Sequence, residues 1–160
     1  MIRPIYALSR LSAVALSIFT VGVLSSTSAL ADTNIVVRMT TGSDDLRGGN
    51  NAFISLNLVD GTSTPEFSLG GGFGQNSVVR KTATFSRTVS LAQIRSITIR
   101  HDGSPRSGEP FDNYDNWDLQ RISISLGGRN IYNSVNDRRR SRFVQRFTGE
   151  TRQIVLNRQR

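Results

Sequence analysis

A chain of 160 residues with no cysteine and a formal net charge of +8 excludes a disulfide framework and a thiolate metal site. The positive charge is almost all arginine, Lys81 being the only lysine, and guanidinium groups favour bidentate contact with phosphate, sulfate or carboxylate over a diffuse ammonium field. One histidine, His101, leaves little from which to assemble a nucleophilic triad or a zinc centre.

In chain order, Arg3 and Arg10 precede an apolar run over residues 11–24 that is too short to span a bilayer comfortably. Polar residues 25–28 follow, and Ala29-Leu30-Ala31 then presents small side chains at both positions a signal peptidase inspects. This predicts a cleavable signal peptide over residues 1–31, cut before Asp32, and a secreted or periplasmic product. No later segment approaches transmembrane length. Loss of Arg3 and Arg10 takes the charge from +8 to +6. Residues 32–160 then suit a single domain whose C-terminal part is basic. From Arg129 onward nine arginines stand against Asp137 and Glu150, whereas residues 32–128 carry nine basic and ten acidic side chains.

No helical period is sustained, and several runs have the period of two expected of strands with one buried face. Ile35, Val37 and Met39 alternate with Val36, Arg38 and Thr40, and Ile54, Leu56 and Leu58 alternate with Ser55 and Asn57. Ala83, Phe85 and Val89 alternate with Thr82, Thr84, Ser86 and Thr88. Ile97 and Ile99 do so with Ser96, Thr98 and Arg100, and Ile122, Ile124 and Leu126 with Arg121, Ser123 and Ser125. Shorter candidates cover residues 66–69, 130–133, 142–147 and 152–157. Turn-forming clusters at 42–51, 60–65, 70–77 and 102–116 separate the runs. Eight or nine short strands at this spacing predict an all-β antiparallel sandwich in two sheets. If each connection reverses the chain, the loops at 42–51, 70–77 and 102–117 emerge at one end.

Two segments carry more than pattern. Residues 37–58, VRMTTGSDDLRGGNNAFISLNL, run from a strand through a Thr-Gly turn and a polar loop to Asn51 and the next strand. Residues 97–124, ITIRHDGSPRSGEPFDNYDNWDLQRISI, end a strand in His101-Asp102, loop, and open the following strand with Trp117 and Leu119. In this order and separation they resemble the PLAT domain, the β-sandwich of lipoxygenases, some lipases, a clostridial phospholipase toxin and polycystins, over roughly residues 35–126. The resemblance implies two four-stranded sheets, structural roles for Asn51, Trp117 and Leu119, and docking on membranes, lipids or partner proteins, sometimes through calcium held by end loops. In most members the domain accompanies a catalytic one. Residues 32–160 have length for the docking module alone, so the expected role is binding without catalysis.

Calcium takes six to eight oxygen ligands, and the loops supply Asp44 and Asp45 on one side and Asp102, Asp112 and Asp115, with Asp118 nearby, on the other. Many PLAT domains carry an acid two residues before the position of Asn51; here that residue is Gly49, which leaves Asp44 or Asp45 to substitute. The opposing expectation is that these aspartates accept backbone N–H groups, with Arg47 and Arg106 balancing them. Trp117, just before a strand, favours packing over the sandwich end, although indole also suits a lipid interface or a sugar ring. Phe73, alone among the glycines of residues 70–74, is a candidate for insertion into lipid, against the alternative of a ring tucked beneath its own loop. That glycine run lacks the Lys-Ser/Thr ending of a phosphate loop.

Arg138, Arg139, Arg140 and Arg142 form a basic turn suited to lipid headgroups, an envelope partner protein or acidic polysaccharide. A solvated turn that discourages edge pairing is the plain alternative. Nucleic acid fits poorly, since no stacking aromatic lies within the basic run. A carbohydrate-binding or structural cell-surface protein is the rival reading.

Overall fold

The computed structural model describes residues 31–103, 114–137 and 143–159. Nine strands occur among them: β1 (Thr33–Thr41), β2 (Ala52–Leu58), β3 (Phe67–Gly70), β4 (Val78–Phe85), β5 (Ile94–His101), β6 (Trp117–Leu126), β7 (Arg129–Asn133), β8 (Gln145–Phe147) and β9 (Gln153–Asn157). They form two antiparallel sheets, one ordered β4-β1-β6-β7 with β8 also on β6, the other ordered β3-β2-β5-β9. The fold is the all-β sandwich that the periodicity predicts.

The alternation of β1 places Ile35, Val37 and Met39 fully inside, against Ile54, Leu56, Ile97 and Ile99 from the facing sheet and Ile122 and Ile124 beside them. Each such aliphatic side chain stabilises the sandwich by about 1.5–3 kcal/mol relative to exposure.

Strict alternation fails in three places, each for a local reason. In β6, Trp117 and Leu119 face inward at odd positions, whereas Ile122 and Ile124 do so at even ones. The register slips between Thr40 and Thr41, which pair with Arg121 and Leu119 respectively. Gln120 is therefore the extra residue of a bulge, and it re-aims the first turn of β6 toward the sandwich end. The strand over β4 begins at Val78, earlier than the alternation of Thr82 to Val89 indicates, because this edge strand leaves both faces of residues 78–81 in contact with water. Val89 lies beyond the strand but stays in the core, its N–H donating to Thr33 Oγ1 at 2.7 Å.

The implied arrangement of four strands over four is corrected to five over four. Leu119 pairs with Thr41 on one side and Gln145 on the other, so β8 shares with β7 the edge of β6 opposite β1. The fourth position of that sheet is thus divided between two short strands. Beyond β9, Gln159 covers the β7 edge: its N–H donates to Ile131 O at 2.9 Å, its side-chain amide donates to Asn133 O, and its Oε1 accepts from Asn133 N–H. An edge closed in this way is unavailable for pairing with another strand.

Candidate functional site

The loops after β1 and after β3 meet residues 102–103 and 114–118 at one end of the sandwich. Leu46 N–H donates to Phe73 O at 3.0 Å, Asn76 N–H to Gly42 O at 2.9 Å, and Asp118 N–H to Asp44 O at 3.1 Å. The approach is closest at Gly71, where a Cβ would stand 1.6 Å from Asn50 O, so only glycine lets the second loop lie on the first.

Asn51 and Asp102 tie β2 to β5 at this end. Asp102 Oδ1 accepts from Asn51 N–H at 2.8 Å and from Gly103 N–H at 2.7 Å, Oδ2 accepts from the Asn51 side chain at 3.3 Å, and Asp102 N–H donates back to Asn51 O. Asp115, buried, accepts from both the backbone N–H and the guanidinium of Arg47. Arg146 of β8 divides its guanidinium between Asp118 Oδ1 at 2.9 Å and Asp44 Oδ2 at 2.7 Å, and Ser43 Oγ donates to Asp118 Oδ2 at 3.1 Å. Burial pushes the Asp44 carboxyl above the ordinary value, Arg146 opposes this, and the charges of Asp118 and Asp115 push it further up. The acidic cluster thus gathers negative charge at the loop end, and arginine side chains neutralise it.

This bears directly on calcium. Asp44, Asp102 and Asp115 lie at the expected end, and Asp45 is half-buried in the same loop. Yet one oxygen each of Asp44, Asp115 and Asp118 accepts from a guanidinium, the second oxygens of Asp115 and Asp118 accept from Arg47 N–H and Ser43 Oγ, and those of Asp102 accept from N–H donors. Among the described residues no group of three or more His, Cys, Asp or Glu side chains is placed to hold a metal ion. Asp112 and Arg106 lie outside the described residues, as do Arg138, Arg139, Arg140 and Arg142 of the predicted basic turn. The balancing role expected of Arg47 is what the geometry shows.

Beneath the ion pairs lies an aromatic cluster. Trp117 is fully buried and stacks on Phe147, with centroids 5.0 Å apart and planes within 12°; His101 and Phe73 meet it edge-on at 5.9 and 6.2 Å. Leu119 is buried alongside. The expectation that Phe73 inserts into lipid is therefore corrected. Its ring is 3% exposed, because the backbone bridge to Leu46 folds the glycine loop inward and turns the phenyl onto Trp117. Glycine flanks signalled mobility of the loop, whereas their use is close backbone approach.

His101 was readable as a structural turn residue, but its cluster was not. Its ring is fully buried against Tyr114, Trp117 and Phe147, and Nδ1 lies 2.9 Å from the Tyr114 hydroxyl. Among the described residues Nε2 has no hydrogen-bond partner, with Asp115 Oδ2 3.8 Å away. Burial holds the imidazole below its ordinary 6.5, with Asp115 and Asp102 pulling in the opposite direction; burial also pushes the Tyr114 phenol up to about 12. The histidine binds its proton at lower pH when folded, so between the folded value and 6.5 the unfolded chain holds more protons. Stability is then complete above about pH 6.5 and declines as the pH falls below it. Urea unfolding at pH 7.5 and 5.0 is expected to show this decline, and His101→Gln to flatten it. An identical pH profile for the variant would assign the dependence elsewhere.

The described sandwich has a PLAT-like fold. Alpha toxin from Clostridium absonum matches it with a TM-score of 0.58 at 15% identity, over 86% of this chain and 34% of the toxin. Clostridium perfringens alpha-toxin from avian strain SWCP gives 0.53 at 15% identity, over 85% and 34%. A LOX carrying Delta413-417:GS gives 0.52 at 16% identity, over 80% and 16%. The chain thus spans about a third of the toxins and a smaller share of the LOX. No protein-family model and no curated protein matches it.

Proposed function

We propose that this protein is an exported, non-catalytic binding module that docks on anionic lipid membranes, with envelope partner proteins as a second class of target. The observation that carries the reading is the charge distribution: nine arginines against two acids from Arg129 onward, on a PLAT-like sandwich whose preceding residues are nearly balanced. Each basic side chain near an anionic surface contributes about 1 kcal/mol, so a handful suffices for reversible adsorption.

Co-sedimentation with vesicles tests the reading. Binding to phosphatidylglycerol-containing vesicles, weaker binding to pure phosphatidylcholine, and release as salt is raised toward 0.5 M are expected, because screening shortens the reach of surface charge. Parallel arms with calcium and with chelator decide whether the ion implied by the PLAT resemblance contributes. No sedimentation with either vesicle, in either arm, would remove the lipid reading and leave protein docking.

A further inference from the structure

Three arginines of the described residues are paired with carboxylates. Arg47 and Arg146 neutralise the loop-end carboxylates, and Arg100 on the outer face of the β3-β2-β5-β9 sheet makes a bidentate pair with Glu66, 2.7 Å for each contact, while lying over the Phe53 ring at 4.3 Å. Of the others, Arg38, Arg80 and Arg121 are clustered on one sheet face. They project from the outer face of the other sheet, on adjacent strands β4, β1 and β6, and among the described residues none meets a carboxylate.

Cross-strand register defines this face. Arg80 stands directly opposite Arg38, which in turn faces Ser123 and, beyond it, Asn133; in the next row Val78, Thr40 and Arg121 align. Further along, Thr82, Val36 and Ser125 align, then Thr84 and Asn34. Asp118, between the inward-facing Trp117 and Leu119, is the one acid at an outward position of the described strands of this sheet, and it is held by Arg146 and Ser43 at the loop end. Two like charges directly opposite each other are unfavourable in a sheet, and among the described residues no carboxylate pairs with either of them. Neighbouring strands lie about 4.8 Å apart, so the three arginines stand on strands that span roughly 10 Å. A shallow groove of about 270 Å³ runs beside them, bounded by Arg38, Thr40, Arg121, Ser123 and Asn133.

We infer that this face is a binding surface for a linear acidic polysaccharide. Sulfate and carboxylate groups are the bidentate partners of guanidinium, and the hydroxyl and amide side chains between the arginines match sugar hydroxyls. A membrane is disfavoured as the occupant here, because interfacial docking uses inserted aromatic or large aliphatic side chains. The outward positions of these strands carry no aromatic residue, and the largely exposed apolar side chains at the face are two valines, Val78 on β4 and Val135 at the groove. Single-stranded nucleic acid is disfavoured for want of a stacking ring. The inference is independent of the lipid reading, which rests on the charge of the C-terminal part.

Heparin is the probe, with neutral dextran as its control. The protein is expected to be retained on immobilised heparin, released by sodium chloride, and not retained on dextran. Calorimetry with a heparin oligosaccharide is expected to show about tenfold or greater weakening for Arg38→Ser/Arg80→Thr/Arg121→Ser, the loss of three charge-assisted contacts. Arg87→Ser/Arg95→Ser/Arg129→Ser removes the same charge elsewhere and is expected to weaken binding no more than about threefold, through screened long-range attraction alone. Arg38→Ser by itself relieves the opposed pair, so it keeps the fold and weakens binding in the same direction. Equal losses in the two triple variants, or an unaffected Arg38→Ser, would reduce the effect to bulk charge and overturn the inference. So would absence of retention on heparin, or a loss confined to anionic vesicles.

Discussion

Replacing Trp117 by alanine is expected to cost about 3–5 kcal/mol of unfolding free energy in urea denaturation, the range for truncating a fully buried large aromatic side chain. The indole stacks on Phe147, meets Phe73 and His101 edge-on, and donates from Nε1 to Thr41 Oγ1 at 3.4 Å. Its removal opens a cavity where three loops and both sheets meet, and leaves the Thr41 hydroxyl without that donor. Trp117→Phe keeps a ring against Phe147 and loses the weak hydrogen bond, so about 1–2 kcal/mol is expected. A cost below about 1 kcal/mol for the alanine variant would show that the end of the sandwich collapses without its central ring.

The second large effect concerns Arg47 and Asp115. Asp115 is 5% exposed and Arg47 27%, so the carboxylate is the partner that cannot return to water. Arg47→Ala leaves that charge with the backbone N–H of residue 47 still donating. Removing one partner of a fully buried pair costs about 3–5 kcal/mol, and the partial exposure of Arg47 lowers the expectation to about 2–3. Asp115→Ala should cost less, since the freed guanidinium can reach solvent. The double variant should lose less than the sum of the singles, with a coupling of at least about 1 kcal/mol in chemical denaturation. Strict additivity would mean that the two groups are neighbours without being partners.

How much of this was legible beforehand follows from the physics of each segment. The cores of β1, β2 and β5 were readable because one face of each is buried along its length, so Ile35, Ile54 and Ile97 set the phase for their neighbours. The meeting of the 42–51 and 70–77 loops with residues 102–103 and 114–118 was readable as well, since it requires only that antiparallel strands reverse the chain. The inward turn of Trp117 and Leu119 relative to Ile122 was hidden, because a bulge at Gln120 changes the phase without any glycine or proline to announce it. Phe73 misled for a related reason: glycine permits both an open loop and a tightly apposed one, and only the approach of Gly71 to Asn50 tells them apart. The arginine face escaped notice because Arg38, Arg80 and Arg121 are far apart in sequence, and a pattern of apolar residues says which side of a strand is wet without saying which wet side chains become neighbours. The run at 138–142 drew attention by contiguity alone.

The chain's one tryptophan has a practical consequence. With Trp117 enclosed by Phe73, His101 and Phe147, its emission is a built-in reporter for one end of the molecule, expected to be blue-shifted when the loops are seated and red-shifted when they part. A ligand engaging the loops should change this signal, while a polyanion on the Arg38 face should leave the spectrum unaltered. Unlabelled fluorescence can therefore separate the two modes of binding in a single titration.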